Sequence, residues 1–172
     1  MSAGHWLIVG MTESGKSSFA RALAREYVSK GHAPIVLDVT RNREWGDEAI
    51  IFTDPDELLR YVQDPEQCVR QPIFIEEAGL ALNKYQSQFQ WLTTFSRHHG
   101  MRTHIVAQRA QMVDTTTRSQ CTNLVAFGLT AKDAKIYAEE FNGEEIMQCA
   151  TFPPGTYIHK TRYAPGVVRK LF

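Results

Sequence analysis

Gly10-Met11-Thr12-Glu13-Ser14-Gly15-Lys16-Ser17 decides how this chain folds. The stretch fits the phosphate-loop pattern G-x-x-x-x-G-K-[ST] at every fixed position. The apolar run Trp6-Leu7-Ile8-Val9 precedes it and helical periodicity follows, which is the strand, loop and helix context that the motif needs. The spacing follows from the chemistry. Gly10 lets the strand turn sharply, Gly15 lets backbone N–H groups approach phosphate oxygens, and the helix opening at Lys16 adds its positive dipole end. Lys16 is expected to reach the terminal phosphates, and Ser17 to give one oxygen to Mg2+. Met11, Thr12, Glu13 and Ser14 form the cradle between the glycines, and Ser18 follows in the first helical turn.

Outward from the loop, Phe19, Leu23 and Tyr27 fall on one helical line with Ala20, Ala24 and Val28 beside it, which predicts a helix from Lys16 to about Lys30, ended by Gly31. Pro34-Ile35-Val36-Leu37-Asp38 reads as a buried parallel strand with a polar tip, and Ile50-Ile51-Phe52 as another short strand. Asp54 is placed as an N-cap with Pro55 at the first helical position and Glu57 completing a capping box. A helix is expected from Tyr85 to His98, with Phe89, Leu92, Trp91 and Phe95 at helical spacing. Strands follow at Thr103–Ala107 and Asn123–Phe127, then a helix from Ala131 to Phe141 capped by Thr130, and an edge hairpin after Pro153-Pro154-Gly155. Strands alternating with helices at this rhythm predict a mostly parallel α/β sheet carrying its ligand at the strands' carboxyl ends.

Two strand ends carry further chemistry. Ile73-Phe74-Ile75 runs into Glu76-Glu77, and in phosphate-loop ATPases such an acid holds Mg2+ through water while a following glutamate orients and deprotonates the attacking water. The usual order is Asp-Glu, so the division of labour between Glu76 and Glu77 stays open. Gln108 ends the strand expected beside the phosphate strand, where an amide can sense the terminal phosphate or position water. His98 and His99 lack further ligands at useful spacing, so they read as helix-end groups and not as a metal site.

Composition limits the alternatives. The 172 residues make one domain, and a 43% hydrophobic and 22% charged composition is ordinary for a soluble globular protein. No apolar run approaches the ~18 residues that cross a bilayer, and the N-terminus lacks the basic start of a signal peptide. Cys68, Cys121 and Cys149 are odd in number and widely spaced, as expected of reduced thiols in a cytoplasmic protein without zinc. A formal net charge of zero confines any grip on nucleic acid to a local patch.

The run from Phe95 through Arg97, Gly100 and Thr103 to Gln108-Arg109, followed by Arg118 and Asn123–Phe127, resembles the FtsK–HerA superfamily of DNA-pumping ATPases. The small size and the late Pro-Pro-Gly-Thr-Tyr-Ile segment resemble most the genome-packaging ATPases of tailless icosahedral viruses with internal membranes. The resemblance covers about residues 6 to 160. It implies a single P-loop NTPase domain of the ASCE, RecA-like type, using ATP and Mg2+. Glu76 then serves the metal shell, Glu77 the water, and Gln108 the coupling of hydrolysis to movement. It implies a homo-oligomeric ring, a hexamer, around double-stranded DNA, in the host cytoplasm and virion-associated, with capsid or membrane proteins at a packaging vertex. An arginine from a neighbouring subunit would complete each site. Arg97 is the first candidate and Arg118 the second, each with a structural ion pair as its alternative. Arg41, Arg43 and Lys84 are candidates for backbone contacts to DNA.

Two other classes remain open at this point. A nucleotide or small-molecule kinase shares the loop and the size but needs an arginine-rich lid. A non-catalytic assembly module would use ATP only to stabilise an oligomer.

Overall fold

The computed structural model describes residues 4–41, 44–64, 70–81, 86–94 and 96–172. Arg43, Cys68, Lys84, Tyr85 and Phe95, and the side chain of Phe89, lie outside the described residues. The strands are β1 (His5–Val9), β2 (Ile35–Leu37), β3 (Ile50–Phe52), β4 (Pro72–Ile75), β5 (Arg102–Ala107), β6 (Cys121–Ala126), β7 (Thr156–Thr161) and β8 (Ala164–Lys170). They form one 8-stranded sheet in the order β3-β2-β4-β5-β1-β6-β7-β8. All pairings from β3 to β6 are parallel, and β7 and β8 add an antiparallel edge hairpin. The helices are α1 (Lys16–Ser29), α2 (Pro55–Val62), α3 (Ala78–Ala81), α4 (Gln86–Thr94), α5 (Thr115–Gln120) and α6 (Ala131–Glu140), with 3-10 turns at Ser96–His99, Ala110–Met112 and Glu144–Thr151.

Strand residues alternate between two cores, because successive side chains leave opposite faces of a sheet. Ile8, Val36, Phe74, Val106 and Val125 meet Ala20 and Ala24 of α1 on one face. Leu7, Leu37, Ile75, Ile105 and Leu124 meet Leu58 and Val62 of α2, Leu92 of α4 and Tyr137 of α6 on the other. Caps behave as spacing demands: Asp54 accepts from Asp56 N–H, Asp114 from Thr117 N–H and Thr130 from Asp133 N–H. Two elements differ from expectation. The helix expected from Tyr85 to His98 ends at Thr94 and gives way to the 3-10 turn at Ser96–His99, where Ser96 Oγ donates to Leu92 O and competes with continued α-helix. The turn at Glu144–Thr151 was not anticipated. It packs Ile146 and Cys149 into the core.

β5 lies between β1 and β4, hydrogen-bonded to both. The carboxyl end of the phosphate strand, the acidic strand end and the Gln108 strand end therefore converge along one edge of the sheet.

Candidate phosphate-loop active site

The loop is shaped by close contacts that only glycine allows. A Cβ on Gly10 would stand 2.4 Å from Ser14 Oγ and 2.8 Å from Phe127 Cβ. Gly15, at φ +109, caps α1, and Glu13 takes φ +62 beside it. Met11 N–H donates to Gly128 O at 2.8 Å and Gly155 N–H donates to Ser14 O at 2.9 Å, so the loop is pinned to the ends of β6 and of the turn before β7. Leu171 N–H in turn donates to Gly155 O at 2.8 Å. This shelf escaped sequence reading, since only the Pro153-Pro154-Gly155 turn hinted at it. Among the described residues, the N–H groups of Glu13, Gly15 and Lys16 have no protein acceptor. That is the arrangement of an anion nest at a helix start.

Ser17 Oγ donates to Glu76 Oε1 at 2.5 Å, joining α1 to the end of β4. Glu76 is only 6% exposed, and burial pushes its carboxyl above the usual range; the Ser17 hydrogen bond and the charge of Lys16 pull the other way, while Glu77 adds to the rise. Its Oε2 is buried with no hydrogen-bond partner, as is Ser14 Oγ. Buried oxygens beside a hydroxyl and a 5% exposed lysine fit a nucleotide phosphate with Mg2+. Ser17 and Glu76 would hold that ion, which supplies charge neutralisation on phosphate oxygens. Glu77 turns away from the strand at φ +48, and Leu80 N–H of α3 donates back to its carbonyl at 2.8 Å. Gln108 Nε2 donates to both oxygens of Glu77 at 3.2 Å. The structure thus separates the two acids by their partners: Glu76 faces the loop serine, and Glu77 faces the amide.

The two arginines have different environments. Arg118 is 8% exposed; Nε and Nη2 reach Glu140 at 3.0 and 2.7 Å, and Nη1 donates to Ala110 O and Val113 O. Burial works against its charge, but the Glu140 carboxylate outweighs it and raises the pKa. The ion-pair alternative therefore describes Arg118, and its guanidinium has no donors left for a neighbour. Arg97 is exposed in the turn at Ser96–His99, before β5 begins. That is the end of the sheet opposite the phosphate loop, so Arg97 does not belong to the cluster formed by Lys16, Ser17, Glu76 and Glu77. Arg41 is exposed at φ +59. Arg109, adjacent to Gln108, is exposed at the carboxyl end of the sheet. Asp38 is fully buried, accepting from Thr40 N–H and Oγ and from Trp45 Nε1, and is a structural carboxylate.

No protein-family model and no curated protein sequence matches the chain. Solved structures do. The genome packaging NTPase B204 from Sulfolobus turreted icosahedral virus 2, in complex with AMPPCP, superposes with a TM-score of 0.83 at 13% identity, covering 100% of both chains. The likeness is one of fold, an α/β P-loop ATPase architecture. The pCW3 conjugation coupling protein TcpA, with ATPgS, gives a TM-score of 0.80 at 17% identity over 98% of this chain and 60% of its own. The cytoplasmic domain of the Thermomonospora curvata type VII secretion ATPase EccC gives 0.75 at 15% identity over 97% of this chain and 25% of its own. The chain thus spans the whole length of the packaging NTPase and under two thirds of the other two. Among the described residues, no helix is long and apolar enough to cross a membrane.

Proposed function

We propose that this chain is an ATP-hydrolysing motor that moves double-stranded DNA and packages a viral genome. The observation that carries the reading is the paired arrangement of Ser17 on Glu76 and Gln108 on Glu77 behind a complete phosphate loop. Lys16 and the loop N–H groups bind phosphate oxygens, and Ser17 with Glu76 holds Mg2+. Glu77 takes a proton from the attacking water, held in place by Gln108. Gln108 stands at the tip of a strand bonded to both β1 and β4, so a change in its hydrogen bond to Glu77 on phosphate loss is felt by the sheet edge that carries both sites.

The fold match to a genome packaging NTPase, with a TM-score of 0.83, supports the viral reading. Subunits assemble as a ring, a hexamer, with Arg97 of one subunit at the nucleotide of the next and DNA in the central channel, gripped through its backbone. The test is phosphate release with and without double-stranded DNA, alongside particle mass. Strong stimulation by DNA in a ring supports the motor, and phosphate transfer to a small acceptor by a monomer removes it.

A further inference from the structure

At the end of the sheet opposite the phosphate loop lies a second cavity, of about 710 Å³. It opens on the α1 face, where the strands begin: Trp6 of β1, Pro72 of β4, Arg102 of β5 and Asn123 of β6 line it, with Tyr27 of α1 above. A volume of this order suits a small-molecule ligand of nucleotide size. Its aromatic lining, Trp6, Tyr27 and His159, is backed by further rings in the core. Phe74 stacks on His104 at 4.4 Å, Tyr27 meets His104 edge-on at 5.4 Å, and Trp6 stacks on His159 at 5.0 Å and 17°. The rings are thereby fixed before any ligand arrives, which lowers the ordering cost of binding.

Charge at this cavity is one-sided. Lys30 is tied to Glu26 at 2.5 Å, but Arg70 and Arg102 have no carboxylate partner among the described residues. Arg70 is also held in a conformation that L residues rarely adopt. Its φ is +68; its N–H donates to His99 O at 3.2 Å, and Gly100, at φ +74, leaves room for its Cγ where a Cβ would stand 3.0 Å away. Backbone strain of this kind is concentrated at ligand sites. Here it holds exposed Arg70 among the residues that line the cavity.

Rigid aromatic surface with two uncommitted guanidiniums is the recognition chemistry of a planar heteroaromatic ring that carries phosphate. We infer that this cavity binds a nucleoside phosphate unit, separate from the ATP of the phosphate loop. The base lies against Trp6 and Tyr27, and the phosphate meets Arg70 and Arg102. The unit is either a free nucleotide or one nucleotide of a single strand.

Equilibrium dialysis with AMP, and in parallel with a tetrathymidylate, tests this on wild type, Lys16→Ala and Arg70→Glu/Arg102→Glu proteins. Binding that persists in Lys16→Ala and weakens at least tenfold in the double variant is the expected result, and it stands whether or not the phosphate loop behaves as proposed. AMP as the tighter ligand assigns a free nucleotide, and the tetrathymidylate a single strand. Arg70→Gln, with thermal melting, guards against misfolding of the double variant: it should melt like wild type and bind severalfold more weakly. Binding lost in Lys16→Ala, unaffected by the arginine substitutions, or undetected for both ligands overturns the inference.

Discussion

Gln108 Nε2 stands 3.2 Å from each oxygen of Glu77, a side chain from one strand end holding the carboxylate of the next. On the proposed reading a water positioned by such a pair gives its proton to Glu77, while Glu76, which accepts from Ser17, serves the metal shell. Glu77→Gln should therefore keep ATP affinity within about threefold and lose at least a hundredfold in kcat, the usual weight of a general base. Lys16→Ala should instead weaken ATP binding. Single-turnover hydrolysis and nucleotide titration check both; normal hydrolysis in Glu77→Gln with loss in Glu76→Gln would reverse the assignment.

Gln108→Leu removes the amide and leaves Glu77 in place. Hydrolysis should fall roughly tenfold to a hundredfold with little change in KM, because the amide orients a group and does not bind ATP. Stimulation by DNA should be lost with it. A variant that keeps stimulation contradicts a coupling role for Gln108.

Glu76 predicts an exchange of stability for function. Its folded-state pKa is raised, so the neutral acid is favoured in the native protein, and the stability it contributes is lost as pH rises through that folded value. Ligand-free Glu76→Gln should consequently melt above wild type at pH 8. The gap should close towards pH 5. Mg2+ with a non-hydrolysed ATP analogue should raise the melting temperature of wild type and leave the variant nearly unmoved. Differential scanning calorimetry reads both effects.

The arginines separate by what their removal damages. Arg118→Ala leaves Glu140 and two carbonyls without their partner and should cost about 3 kcal/mol of stability. Arg97→Ala touches an exposed side chain and should melt like wild type while hydrolysing poorly. Mixing Arg97→Ala with Lys16→Ala subunits should recover part of the activity, because one boundary type then has an intact loop and an intact arginine. No recovery, checked by phosphate release across mixing ratios, counts against action across a boundary.

Burial holds two imidazoles neutral: desolvation takes His5 to about 4 and His104 to about 3. With folded values below the ordinary 6.5, their contribution is complete above that pH and is lost as pH falls from 6.5 towards 4 and 3. For His5 alone the loss is roughly 3 kcal/mol by pH 4. Urea midpoints between pH 7 and 4 should fall steeply for wild type and less for His5→Gln.

The phosphate loop, the strand ends and most helix caps were legible because each is a local pattern: an apolar run, a glycine, a capping side chain. Gln108 and Glu77 could be nominated for the same reason, since both terminate apolar strands. What could not be read are contacts that local periodicity does not encode. Arg118 of α5 and Glu140 of α6 meet only in the folded chain, so the sequence ranked Arg118 second to Arg97 as a catalytic arginine with an ion pair as its alternative. The Gly155 and Leu171 shelf under Ser14 arises only when the hairpin closes beside β6. The cavity above Trp6 is likewise assembled from strand starts that are distant in sequence.

Particle mass and phosphate release, measured together with and without double-stranded DNA, test the motor most directly. The account predicts a ring whose hydrolysis rises at least tenfold with DNA and vanishes in Glu77→Gln. A protein that stays monomeric, or a ring whose slow hydrolysis is indifferent to DNA, would contradict it.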